Sequence, residues 1–379
     1  MSDHAIRPLR IGMLGSGYVE ERLLSGLPFR TVRVKKTHDV FTALAFVRRR
    51  VGCTANATAL ISGLHCDFGL TRVDLFNFVN TVSLSTTPWV VTYEHYLPRW
   101  NWHSPLGWRR LAAPSCKKII AISQWAQRFQ EHLLAGHPAL ADDVHPKMCV
   151  ITPGQQPLIA RYDDKVLEPH RITFAFVGGD FFRKGGMEVL EAFSQLLDEQ
   201  LPVHLTVVSS LTYGDYASRT TRADLDRAKG LIARMGPNVT HFWSLDNQQV
   251  LQLFARSHVA LLPTYDDTYG FSVLEGQAAG CPAITTDCCA LPEFNDDLTG
   301  WLIQVPKDTL GISLHDTPEH RAQLSRCVRE NLVRIVRDIC ADPSIIRIKG
   351  ERAFARIRQE RSLEHRVGLL EEIYRGALG

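Results

Sequence analysis

No apolar run in the sequence approaches the ~18 to 20 residues that a membrane-spanning helix requires. The short run Ile11 to Leu14 is followed at once by glycines and charges, so neither a signal peptide nor a membrane anchor is expected. Without a secretory signal, Asn56-Ala-Thr58 and Asn238-Val-Thr240 read as chance matches to the glycosylation pattern. The nine cysteines are odd in number, hold no Cys-x-x-Cys pair and include one vicinal pair, Cys288 and Cys289, which fits neither a disulfide framework nor a zinc site. A reducing, cytoplasmic setting is the expectation. A dinucleotide-binding fingerprint is also incomplete, because Gly15-Ser16-Gly17-Tyr18-Val19-Glu20 lacks its third glycine.

What is present is 379 residues, 45% hydrophobic and 22% charged, which describes an ordinary globular chain and excludes disordered, fibrous and integral-membrane classes. At ~100 to 200 residues per domain this is a two-domain length. The net charge of +3 hides an asymmetry: residues 1–157 carry 18 Lys and Arg against 10 Asp and Glu, the remainder 25 against 30. A basic half suits an anionic surface, whether phospholipid, nucleic acid or a phosphorylated substrate, and equally a solvated face with no partner.

The pattern of apolar runs is that of an α/β chain. Leu9 to Leu14 reads as strand, then glycine turn, then helical spacing from Val19 to Leu27; further runs fall near Thr58 to Ile61, Val73 to Phe76, Trp89 to Thr92, Lys118 to Ile122 and Cys149 to Ile151. After Thr152-Pro153-Gly154 a polar stretch through Pro169 reads as a linker. A second series follows at Ile172 to Val177, Val203 to Val208, Val239 to Phe242, Val259 to Leu262 and Ala283 to Thr285. The tail from Pro318 is helical, with a last amphipathic helix from Leu363 to Tyr374. Two doubly wound parallel sheets covered on both faces place a ligand at the carboxyl ends of the strands, in a cleft between domains.

The segment with the most chemistry in it runs from Leu261 to Pro282 and reads strand, acidic loop, glycine turn, helix. Gly270 to Val273 would offer backbone N–H groups at a helix N-terminus, a pre-formed anion site. Glu275 falls one turn into that helix and Asp267 eight residues before it. Two carboxylates beside an anion site raise the cost of binding negative charge unless they face hydroxyls, which suggests a sugar-containing phosphate. Here the sequence resembles the retaining glycosyltransferases of family 4, the glycosyl transferases group 1 set with the GT-B fold. Their hallmark is a Glu, seven residues and a second Glu, followed by a helix and a Gly-x-Pro turn. Glu275 and Gly280-Cys281-Pro282 match it, with Asp267 in the first acidic place.

The resemblance implies that Glu275 binds the nucleotide ribose, that Asp267 contacts the donor sugar, and that Gly270, Phe271, Ser272 and Val273 offer backbone N–H to the diphosphate. In Phe176 to Gly186 it implies that Lys184, with Arg183 as the nearby guanidinium, neutralises the leaving diphosphate. In the first half, Gly15, Ser16 and Gly17 match a glycine loop near the donor phosphates, with a plain tight turn as the alternative. Trp89 to His95 resembles a strand ending in Thr-x-His; the spacing here is Thr-x-x-His, so Glu94 and His95 are both candidates. The implied architecture is α/β with two doubly wound Rossmann-like domains facing a central cleft. An acceptor-binding domain spans 1–157, a nucleotide-sugar domain 158–355, and a C-terminal helix at 356–379 crosses back to the first.

The implied activity is sugar transfer from a nucleotide diphosphate sugar to a hydroxyl acceptor in polysaccharide biosynthesis or a related pathway. No cofactor and no metal are expected, since side-chain cations serve the diphosphate and the Asp266-Asp267 and Asp296-Asp297 pairs do not by themselves make a metal site. Between Tyr96 and Leu111, Arg99, Trp100, Trp102, Trp108, Arg109 and Arg110 suit a membrane interface or a lipid-linked acceptor, or else an ordinary loop and helix. That places the protein in the cytoplasm, including the inner face of the cytoplasmic membrane. Nucleic acid is not an expected partner, as no nucleic-acid motif accompanies the charge. Rival readings are an NAD-type oxidoreductase, a catalytically idle GT-B scaffold, and an epimerase or phosphorylase on the same fold.

Overall fold

The computed structural model describes residues 8–14, 22–23, 32–36, 39–41, 43–44, 60–165, 167–168, 170–214 and 216–378, and of 32–36 the backbone alone. The chain divides into two compact units, Met1–Gly154 with Leu363–Gly379, and Gln155–Ser362.

The first unit is built on a parallel sheet of β1 (Leu9–Met13), β2 (Val32–Lys36), β4 (Leu75–Val79), β6 (Trp89–Tyr93), β7 (Cys116–Ala121) and β8 (Met148–Val150), in the order β2-β1-β4-β6-β7-β8. The central strand β6, Trp-Val-Val-Thr-Tyr, is buried at every position, as a parallel strand covered on both faces must be. A short parallel pair, β3 (Leu64–His65) and β5 (Val82–Ser83), lies outside this sheet. Residues 60–63 are helical, so Leu60 and Ile61, expected in a strand, instead end a helix that leads into β3. A four-residue apolar run fits either element, and length alone does not separate them. The basic strand β2, Val-Arg-Val-Lys-Lys, was not anticipated, because its alternating charge resembles a solvated segment.

Serines start two of the helices of this unit. Ser104 caps α1 (Pro105–Ala112), accepting the Gly107 N–H at 3.3 Å, and Ser123 caps α2 (Gln124–Leu134), accepting the Ala126 N–H at 3.0 Å. The final helix of the chain, Leu363–Gly376, packs Val367, Leu370 and Tyr374 on Ile11, Leu75, Val90, Ile120 and Ile151 of the sheet. Asn77 of β4, buried in that interface, donates to the Tyr374 hydroxyl at 2.8 Å.

The second unit holds β9 (Ile172–Val177), β10 (Val203–Val208), β11 (Val239–Phe242), β12 (Val259–Leu262), β13 (Ala283–Thr286) and β14 (Gly300–Ile303), all parallel, in the order β11-β10-β9-β12-β13-β14. Strand order reverses between β9 and β12. Helices there include α3 (Gly186–Asp198), α4 (Arg222–Met235), α5 (Asn247–Arg256), α6 (Phe271–Ala278), α7 (Pro318–Ala341) and α8 (Ser344–Glu360), which makes the Leu363–Gly376 helix α9. The polar stretch read as a linker is fastened to this unit. Leu158 N–H donates to Ala278 O at 2.9 Å, and Lys165 Nζ donates to Ala279 O at 2.8 Å and Phe254 O at 3.0 Å. The ammonium thus sits at the negative ends of both α5 and α6.

Candidate functional site

In an open doubly wound sheet the ligand crevice lies where strand order reverses, outside the carboxyl ends of the flanking strands. In the second unit those ends are Gly178 after β9 and Pro263 after β12, the two segments that the sequence singles out. The turn after β9 is held by aromatic packing: Phe181, fully buried, meets Phe176 edge-on at 5.6 Å and Phe182 at 5.0 Å. Gly185 closes it in the left-handed region at φ 79°, where a Cβ would stand 2.1 Å from the Pro263 carbonyl oxygen. Only glycine lets the β9 turn lie this close to the loop after β12. That loop is tied back in turn, with Tyr265 N–H and Thr264 Oγ1 both donating to Arg183 O, at 2.8 and 3.1 Å.

The approach joins Lys184 to Asp267. Lys184 Nζ lies 2.9 Å from Asp267 Oδ2, with both side chains largely buried. Asp267 Oδ1 accepts the N–H groups of Tyr269 at 3.2 Å and Gly270 at 3.0 Å. Burial alone would push the Asp267 carboxyl up, but Lys184, Arg183 and these N–H donors outweigh it and hold the group below the usual carboxylate range. Arg183 pairs with Asp180 at 2.5 Å, donates to the Asp266 carbonyl, and lies over the Tyr216 ring at 5.8 Å. Tyr216 donates its hydroxyl to the Asp266 carboxylate. Beneath the loop, Glu188 is buried and accepts from Tyr265 and Ser325, each at 2.7 Å; desolvation raises its carboxyl.

Helix α6 begins at Gly270, again left-handed at φ 78°, with Leu291 and Leu262 methyls 2.8 and 2.9 Å from where a Cβ would be. The expectation that all four N–H groups from Gly270 to Val273 stand free needs correction. Gly270 N–H is taken by Asp267, and Val273 N–H donates to Gly270 O at 2.9 Å, because the glycine turn closes its own first hydrogen bond. Phe271 and Ser272 lie at the positive end of the helix, and the buried Ser272 Oγ makes no hydrogen bond among the described residues. Glu275, 4% exposed, lies one turn further along.

In the first unit, Glu94 and His95 follow β6. Glu94 is bound twice by Asn80 at the end of β4: Asn80 Nδ2 donates to Glu94 Oε2 at 2.7 Å, and Glu94 N–H donates to Asn80 Oδ1 at 3.1 Å. His95 stacks on Trp125 at 4.9 Å and meets Phe129 at 4.4 Å and Tyr96 at 4.8 Å. The glycine turn at Gly15, Ser16 and Gly17 lies outside the described residues. The Trp and Arg segment divides: Trp108 is buried with its indole N–H on Trp102 O, and Arg110 binds the carbonyls of Ser83 and Ser85 at 2.8 and 2.7 Å, so both serve the fold. Trp102, Arg99 and Arg109 face solvent.

Sequence reasoning passed over Asn80, Tyr216 and Glu188. Each acts on a residue 14 to 77 positions away, and no local pattern announces such a bond. An Asp-x-Asp pattern, Asp224 and Asp226, belongs to the first turns of α4: Asp224 accepts from Thr221, and Asp226 pairs with Arg222 at 3.1 Å. Among the described residues no group of three His, Cys, Asp or Glu side chains is placed to hold a metal ion. Nor is any helix among them long and apolar enough to cross a membrane.

Residues 161–324 match the family described as Glycosyl transferases group 1. The glycogen synthase of Mycobacterium tuberculosis (strain ATCC 25618 / H37Rv) is 23% identical over 238 residues, 60% of this chain and 55% of the relative. The chain therefore spans about half the length of the curated relatives it matches. Among solved structures, a glycosyltransferase from Rickettsia africae aligns with TM-score 0.63 at 14% identity over 98% of this chain and 99% of that one. The Anabaena protein HepE, solved in complex with UDP-glucose, aligns with TM-score 0.57 at 13% identity over 97% and 100%. These likenesses carry the fold, a GT-B chain of two Rossmann-like units.

Proposed function

Because residues 161–324 match the glycosyl transferases group 1 family, we propose that the chain is a retaining, family 4 glycosyltransferase. It moves a hexose or related sugar from a nucleotide diphosphate donor to a hydroxyl acceptor, without a metal. The observation that carries this reading is the convergence of Lys184, Arg183 and the start of α6 where strand order reverses. A leaving diphosphate needs cations and oriented N–H groups in a site of low dielectric; Lys184 and Arg183 are the cations, and the backbone at the start of α6 offers the N–H groups. HepE binds UDP-glucose, which supports a nucleotide sugar as the donor. Glu275 is assigned to the ribose, Asp267 to the donor sugar, and Glu94 and His95 to the sugar or acceptor. We assign acceptor recognition, in polysaccharide synthesis or a related pathway, to the first unit. Its exposed Arg99, Trp102 and Arg109 are assigned to an anionic membrane or a lipid-linked acceptor.

One observation favours a second reading, an idle nucleotide-sugar-binding scaffold: Lys184 is already paired with Asp267 and Gly270 N–H already engaged. Thermal-shift titration against UDP, GDP, ADP, their sugars and NAD separates the readings, because a ligand of the native state raises its melting temperature. Stabilisation by one nucleoside diphosphate family, lost in Glu275→Ala, supports donor binding. Acceptor-dependent release of the nucleotide then supports transfer over the scaffold, and stabilisation by NAD alone overturns both. Product anomeric configuration tests retention, and activity in EDTA tests metal independence.

A further inference from the structure

The turn that follows β3 in the first unit, Asp67-Phe68-Gly69-Leu70-Thr71, does the reverse of what folding favours. Phe68 is 77% exposed and Leu70 83% exposed, while Asp67 between them and the fold is 2% exposed. The buried carboxylate is spent on shaping the turn: Asp67 Oδ1 accepts Gly69 N–H at 3.0 Å and Oδ2 accepts Thr71 N–H at 3.1 Å, while Leu70 N–H returns to Asp67 O at 3.0 Å. Phe68 itself sits in the left-handed region at φ 51°, a conformation that costs a bulky residue free energy. Isolated exposed apolar residues are ordinary, and Leu298 and Ile348 are examples. Two within three residues, on a turn rigidly held to present them, are not explained by packing.

The charge around the turn selects the occupant. Its neighbouring carboxylates are consumed inside the protein, Asp67 by N–H groups and Asp74 by Arg10 at 2.8 Å, whereas Arg72 is exposed and makes no ion pair among the described residues. Helix α1 lies along the same strand pair, joined to it through Arg110 and the Ser83 and Ser85 carbonyls, and exposes Leu106 and Arg109. A protruding tip of two apolar side chains with the exposed Arg72 two residues on, in a unit whose helix α1 also exposes Arg109, matches a bilayer interface with anionic head groups: the ring and the isobutyl group enter the acyl boundary and the arginines stay with the phosphates. We propose that the Phe68–Leu70 turn inserts into an anionic lipid surface and anchors the first unit there. This rests on the reading of that unit as membrane-facing and names the element that enters the lipid.

Vesicles of phosphatidylglycerol and phosphatidylcholine test it with the full chain. The wild-type protein should sediment with mixed anionic vesicles, and Phe68→Ser with Leu70→Ser should weaken that partitioning at least tenfold while leaving nucleotide-induced stabilisation unchanged. A Phe68→Trp variant should show a blue shift in emission on addition of anionic vesicles. Absence of wild-type binding would sink both the membrane-facing reading and the anchor. Binding lost in Arg99→Gln with Arg109→Gln but kept in the Ser pair would sink the anchor alone. Equal binding to pure phosphatidylcholine would overturn the anionic partner, and a change of oligomeric state in the Ser pair without vesicles would reassign the turn to contact between copies of this chain.

Discussion

The two units share one construction and differ in what stands at the strand ends. In the second, the carboxyl ends of β9 and β12 carry charge in a buried setting, with Lys184 on Asp267, Arg183 on Asp180 and Asp266, and Tyr216 closing the set. In the first, the ends of β4 and β6 carry one amide-bound carboxylate, Glu94 with Asn80, and an imidazole boxed by three aromatic rings. One arrangement is suited to polyanionic phosphate, the other to uncharged hydroxyls and ring faces. In a doubly wound sheet the strand ends fix where a site lies, while the loop residues set the chemistry found there.

The sharpest way to break the comparison is Lys184→Ala. If Lys184 serves the diphosphate, turnover should fall by about 100- to 1000-fold, the cost of losing one well-placed group that stabilises developing charge. Stability should fall with it, by about 3 kcal/mol in denaturant titration, because Asp267 is left buried without its ammonium. The pH dependence has a definite sign. The folded carboxyl of Asp267 is depressed, so its contribution is full above the unfolded value near ~4 and is lost as pH falls through the lower folded value. The gap between wild type and Lys184→Ala should therefore narrow on acidification below pH ~4, and a gap that widens would show the pair is not what stabilises the loop. Glu275→Ala should weaken nucleotide affinity roughly tenfold or more, read by calorimetry.

Next in size is Gly185→Ala. A Cβ cannot coexist with a backbone oxygen 2.1 Å away, and φ 79° already excludes most side chains, so a loss of at least about 2 kcal/mol is expected together with weaker nucleotide binding. Unchanged affinity would mean that the closeness of the β9 turn to the β12 loop does not shape the site.

Legibility in the sequence followed the same division. Strands buried on both faces, such as β6 and β9, are continuous apolar runs and could be read directly, as could the glycine turns and the acidic loop of the second unit. The basic β2 was passed over, because alternating charge imitates solvent, and the helical Leu60–Ile61 was misread, because short apolar runs have no period. At the site, neighbours in sequence such as Arg183 and Lys184 were visible, but their partners were not. The Lys184–Asp267 pair joins residues from two strand ends, and Tyr216 reaches Asp266 from the loop after β10, links that exist only once strand order is fixed.

The smallest effect tests the quieter half. Asn80 holds Glu94 by both side chain and backbone, so Asn80→Ala should cost about 1 to 2 kcal/mol, the range for two part-buried hydrogen bonds of which one is to a carboxylate. Because these residues belong to the first unit, nucleotide-induced stabilisation should be the same in Asn80→Ala and His95→Ala as in wild type, while the rate of sugar transfer falls. Loss of that stabilisation in either variant would show that the first unit contributes directly to nucleotide affinity. Unchanged transfer in both would confine Glu94, Asn80 and His95 to the fold and leave acceptor recognition to other residues of that unit.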